Sequence, residues 1–145
     1  VIDAAAAEPT PRFISLAGAE GTKPVTPILV KTITGRILAL VFHDHDQGVQ
    51  AEDSLDVIDL DPDRNGDFTD AKLVKSIAVG PSAVDGHYGH HDAAVDADGR
   101  CAFITNPGDG TITVLSLKHL EMVTSFKVGG TPTTIVARGG LETED

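Results

Sequence analysis

Set against itself, the chain repeats. TGRILALVF (34–42) matches DGRCAFITN (98–106), LDVIDL (55–60) matches ITVLSL (112–117), and SIAVG (76–80) matches SFKVG (125–129). Each run is short, β-rich and bounded by Gly, Pro, Asp or Asn, and helical periodicity is weak. Strands are expected near 12–17, 27–32, 36–42, 55–60, 72–79, 92–97, 100–105, 111–117, 121–128 and 133–138. RILALVF is apolar nearly throughout, as a strand buried on both faces would be. The order is a four-strand unit (27–79), a second (92–128), the first strand of a third, and at 12–17 the last strand of a preceding one. A leading tail (1–11) and an acidic tail (139–145) flank the segment 12–138.

Four-strand antiparallel meanders in tandem are the blades of a β-propeller, so the expected fold class is all-β, built from such blades. The second unit, HDAAVDADGRCAFITNPGDGTITVLSLKHLEMVTSFKVGGTP (91–132), resembles the YVTN-type propeller repeat of bacterial exported and surface proteins through DADGR, FITN, TITVLSL and VGGTP. The likeness is partial over 27–80. It implies a fold and no particular activity, because propellers host many functions. Closure takes at least about four blades, and this chain supplies about two and a half. A partial propeller completed by other polypeptide is therefore expected, either a further segment or further copies of the chain.

The net charge of −11 makes nucleic acid and anionic membranes poor partners. Aromatics are 4% and Trp is absent, too few for a surface that stacks sugars or bases. No apolar run approaches the length of a membrane span, about 20 residues. Cys101 is alone, so no internal disulfide forms. The Ala- and Pro-rich start reads as the leading tail of an exported protein, which points to a periplasmic or secreted location.

Five of the six histidines fall in FHDHDQ (42–47) and DGHYGHHD (85–92). Compared with the second unit, the first is lengthened in three connections. The link between its second and third strands gains seven residues with HDHD, the next link gains eight with DPDRNGDFTD, and the crossing to the following blade gains eight with DGHYGHHD. Strands alternate direction in a meander, so the first and last of these insertions share a face and the middle one lies opposite. His43, His45, His87, His90 and His91 are thus expected to converge, with at least three on one transition metal (Cu, Zn or Fe). Asp44, Asp46 and Asp92 would orient the rings and offset the cation's charge. A His-x-His pair puts both rings on one side of an extended segment. His91 also stands where Pro27 and Pro132 begin the other inner strands. The alternative is that these are solvated polar loops. His119 reads as a surface residue.

DPDRNGD (61–67) opens like a calcium loop, with oxygens from Asp61, Asp63, Asn65, Asp67 and Asp70 as candidate ligands and Gly66 for the bend. The closing Glu of an EF-hand is replaced by Lys72, and Asp/Asn/Gly clusters form turns without any ion. No nucleophile elbow and no phosphate loop occur, and no catalytic residue is assigned. The expected function is an exported binding or interaction module with a His-rich metal face. A copper- or iron-dependent oxidoreductase with a histidine-ligated site near the axis and a metal-free structural scaffold are the alternatives.

Overall fold

A computed structural model describes residues 7–8, 11–46, 49, 51–85 and 89–138. Among them the chain is all-β: nine strands, one 3₁₀ turn at Phe68–Asp70, and no α-helix. Neither is there a helix long and apolar enough to cross a membrane. The strands are β1 (Thr22–Pro24), β2 (Ile28–Lys31), β3 (Ile37–His45), β4 (Asp53–Asp59), β5 (Lys72–Val79), β6 (Ala93–Val95), β7 (Cys101–Asn106), β8 (Thr111–Ser116) and β9 (Glu121–Lys127).

They form two antiparallel meanders. In the first, β1 and β2 lie end to end along one edge of β3, followed by β4 and β5; in the second the order is β6-β7-β8-β9. The repetition extends to detail. Gly35 (φ 80°) and Gly99 (φ 66°) occupy equivalent turns, each donating its N–H three residues back, to Thr32 and Asp96. The Thr32 and Asp96 side chains in turn accept from the N–H of Arg36 and Arg100. Each meander carries one bulge, at Val57/Ile58 and at Val114/Leu115, which are matched positions in the self-alignment.

The alternation of side chains along each strand decides what is buried where. Leu38, Leu40 and Phe42 of β3 and Leu55 and Val57 of β4 share one core with Ala102, Ile104, Leu115, Leu117 and Leu120 of the second meander. This is how the two sheets pack together. The opposite face of β3 and β4 presents Ala39, Val41 and Ile58, which pack with Leu60 and Leu73 alongside and with Ile14 of the leading segment.

Three expectations are corrected. Residues 12–17 form no strand; they cross the face of the first sheet, where Ile14 packs and the Ala17 N–H donates to the Asp56 carboxylate at 2.6 Å. That carboxylate supplies the acceptor a ladder would have given. Residues 133–138 form no strand either, and the Ile135 N–H is taken up by Asp92. Finally, β3 runs to His45 rather than stopping at Phe42, because the unforeseen β1 pairs with its last three residues. The histidine motif therefore begins inside a strand. The tail at 139–145 lies outside the described residues.

Candidate metal centre

β3 and β4 place two carboxylates side by side. Their register pairs Phe42 with Leu55 and His43 with Ser54, and one further step brings Asp44 opposite Asp53. Both have the inward parity of the apolar residues before or after them, so both carboxylates are buried, at 5% and 2% exposure. Like charges facing each other across a ladder repel. Something must offset them.

The crossing from the first meander to the second supplies the partner. Ser82 donates its backbone N–H to Asp53 Oδ2 at 2.7 Å. The chain then returns so closely that a Cβ on Gly89 would stand 1.7 Å from the Ser82 carbonyl oxygen. That approach admits only glycine, and it delivers His90 and His91 to the same place. The His91 ring stacks on Phe42 with centroids 4.9 Å apart. Its Nδ1 lies 2.7 Å from the Thr105 carbonyl oxygen and its Nε2 lies 3.1 Å from Asp53 Oδ2 and 3.8 Å from Asp44 Oδ1.

The tautomer follows. A carbonyl oxygen only accepts, so Nδ1 carries the proton. In a neutral ring Nε2 then presents a lone pair, and it faces two carboxylate oxygens. Such an arrangement calls for a cation at Nε2, either a second proton or a metal ion. Asp44 Oδ1 is buried with no hydrogen-bond partner among the described residues. One atom each from Asp44, Asp53 and His91 come within 4.8 Å of one another, and all three residues are buried.

Two further histidines hold the carboxylates in place. His45 approaches Asp53 Oδ1 through both its backbone N–H (2.9 Å) and Nδ1 (2.7 Å). His90, with its side chain 62% exposed, reaches Asp44 Oδ2 at 2.9 Å. The two acids titrate in opposite directions. Burial pushes Asp44 up, only partly offset by His90 and His91. Burial would also raise Asp53, but hydrogen bonds from His91, Ser82 and His45 outweigh it and hold the carboxyl well below its ordinary range.

The two histidine segments thus meet, but with different roles from those expected. His43 points to the opposite face of β3, where Nε2 lies 3.0 Å from Asp56 Oδ2. It is excluded from the cluster by strand parity. Asp44 is not an outer support but a candidate ligand. Asp46 is exposed and pairs with Lys23, while Asp92 accepts from the N–H groups of Ala93 and Ile135. His87 lies outside the described residues. Asp53 was missed, although its parity with Leu55 and Val57 marks a carboxylate on the core face of a strand. His119 is exposed, as expected.

In the acidic loop, oxygens of Asp61, Asp63 and Asp70 come within 4.8 Å of one another, a group that could hold a cation. The other two expected ligands are engaged elsewhere. Asn65 Oδ1 accepts from the Asp67 N–H, and Asp67 caps the 3₁₀ turn through the N–H of Thr69, which lowers its pKa. Asp61 itself accepts from the N–H groups of Asn65 and Gly66. Asp70 Oδ1 is buried with no hydrogen-bond partner among the described residues, so the turn's own hydrogen bonds do not use every oxygen of the group.

No protein-family model matches the chain, and no curated protein matches it.

Proposed function

We propose that the chain is a metal-binding module of β-propeller type, in which Asp44, Asp53 and His91 hold one divalent transition metal at the junction of two blades. The observation that carries the reading is His91: with Nδ1 committed to Thr105, its Nε2 faces the carboxylate oxygens of Asp53 and Asp44. Two carboxylates and a neutral imidazole balance a divalent charge, so the buried site becomes neutral when filled. Imidazole nitrogen suits Zn, Fe, Ni and Cu(II), and the absence of sulfur from the donor set disfavours Cu(I). The matched turns and bulges of the two meanders support blades of one repeat, and the likeness to YVTN repeats supports an exported propeller completed by other polypeptide.

Elemental analysis of natively isolated protein, with titration of the chelator-treated protein, tests the reading. One ion per chain is expected, lost in His91→Gln. Full-strength binding by that variant would overturn it.

A metal-dependent oxidoreductase is favoured by one observation. A cleft of about 570 Å³ lined by Pro24, Val25, Thr26, Ile28, His90, His91 and Asp92 lies beside the site, large enough for a small molecule next to His91. Exchangeable water on the bound ion, detected by proton relaxation with Mn²⁺ in the site, is the result this second reading requires.

A further inference from the structure

Three protein ligands leave a divalent ion short of a full set, and the structure holds a further buried oxygen donor beside Asp53, the Ser82 hydroxyl. Ser82 is fully buried, and its hydroxyl lies near enough to Asp53 to help lower that carboxyl's pKa, yet it makes no well-formed hydrogen bond among the described residues. A buried hydroxyl left without a well-formed hydrogen bond is costly, so its position calls for an explanation. The residue is fixed beside the cluster by its own backbone, since its N–H donates to Asp53 Oδ2 at 2.7 Å. Gly89 packs against its carbonyl. Asp44 Oδ1, buried and without a hydrogen-bond partner among the described residues, belongs to the same cluster.

We infer that the Ser82 hydroxyl is the fourth protein ligand of this site, which makes it an oxygen-dominated centre for a hard or borderline divalent cation of the Mn²⁺ class. This rests on the metal reading above and extends it. The chemistry is consistent: the hydroxyl ligates as a neutral oxygen, so the charge balance of two carboxylates against one divalent ion is kept. Three oxygens and one nitrogen favour Mn²⁺ and Fe²⁺ relative to soft ions such as Cu⁺.

Residue 82 can be made to report its own coordination. Ser82→Cys places a thiolate where the hydroxyl was, and Co²⁺ serves as the probe. With the wild type, Co²⁺ is expected to give only weak ligand-field bands. With Ser82→Cys, an additional near-ultraviolet thiolate-to-cobalt charge-transfer band should rise to one equivalent. The native Cys101 has the outward parity on β7, opposite to the core residues Ala102 and Ile104, so the wild type is the control for it. Ser82→Ala gives a second readout that does not depend on the cysteine variant folding. Its Mn²⁺ affinity should fall at least about tenfold, the usual scale for losing a supporting group at a metal. The inference is overturned if Ser82→Cys binds Co²⁺ without the charge-transfer band, or if Ser82→Ala binds Mn²⁺ as tightly as the wild type. A wild type that binds neither ion overturns the metal reading itself and this inference with it.

Discussion

At the scale of single residues, neighbouring histidines have opposite fates. His91 and His43 are both buried and both bonded to an aspartate, yet only His91 faces two carboxylates. His91→Gln should abolish metal binding. His43→Gln should leave it within about twofold, while leaving buried Asp56 short of a partner and lowering stability by about 1–3 kcal/mol. Titration and urea denaturation of both variants check this; equal loss of metal in both would contradict the parity argument. The two acids make a second test. Asp53, with its depressed pKa, contributes stability above the unfolded carboxylate value of about 3.9, lost as pH falls through its lower folded value. Asp44 has the opposite sign. Its contribution is complete below that unfolded value and is lost as pH rises through its raised one, so at neutral pH the ion-free protein carries it as a burden. Asp44→Asn should therefore raise the urea midpoint in chelator at pH 7, yet forfeit the stabilisation that added metal gives the wild type. A lowered midpoint in chelator would refute this assignment.

At the scale of elements, the crossing segment and the acidic loop depend on backbone contacts rather than on apolar burial. Gly89→Ala would drive a methyl group into the Ser82 carbonyl. It should cost about 1–3 kcal/mol and displace His91 from Asp53, lowering metal affinity in the same variant. Unchanged affinity would mean that residues 82 and 91 are held independently. Asp61→Ala removes the acceptor of two backbone N–H groups and should cost about 1–3 kcal/mol with no change in metal binding at the distant site. Thermal denaturation and titration together separate the two elements. Much of this layout was legible beforehand. The matched runs locate both meanders, the turns at Gly35 and Gly99, and the shared face of the two histidine segments. The partition of the HDHD run was not, because it requires knowing that β3 continues three residues beyond Phe42. β1 causes that extension, and TKP does not read as a strand. Once the extension is known, parity alone assigns Asp44 inward and His43 outward. Asp53 was readable on the same principle from DSLDV, where apolar residues alternate behind it, but no histidine drew notice to it.

At the scale of the molecule, the second sheet ends on an unprotected edge. β9 is outermost, all seven of its residues are exposed, and Met122, Val123 and Phe126 are among the large apolar side chains left in water. Such an edge invites pairing, in keeping with the proposed completion of a propeller by other polypeptide. Sedimentation velocity should show concentration-dependent association of this chain. Val123→Lys should weaken it without lowering Tm, since the position contributes little to the core. A monodisperse monomer across the concentration range would count against self-completion.

The equal placement of the two bulges has a practical corollary. If both meanders follow one plan down to the step where the ladder slips, they are interchangeable parts, and the chemistry belongs to the seam between them. Asp44 and Asp53 come from the leading part, Ser82 and His91 from the joint, and Thr105 from the trailing part. A chimera with two copies of the trailing meander would retain the scaffold and lose every carboxylate of the centre. Grafting residues 37–92 ahead of another meander of this plan, with a carbonyl at the Thr105 position, should carry the centre along as a transplantable cassette.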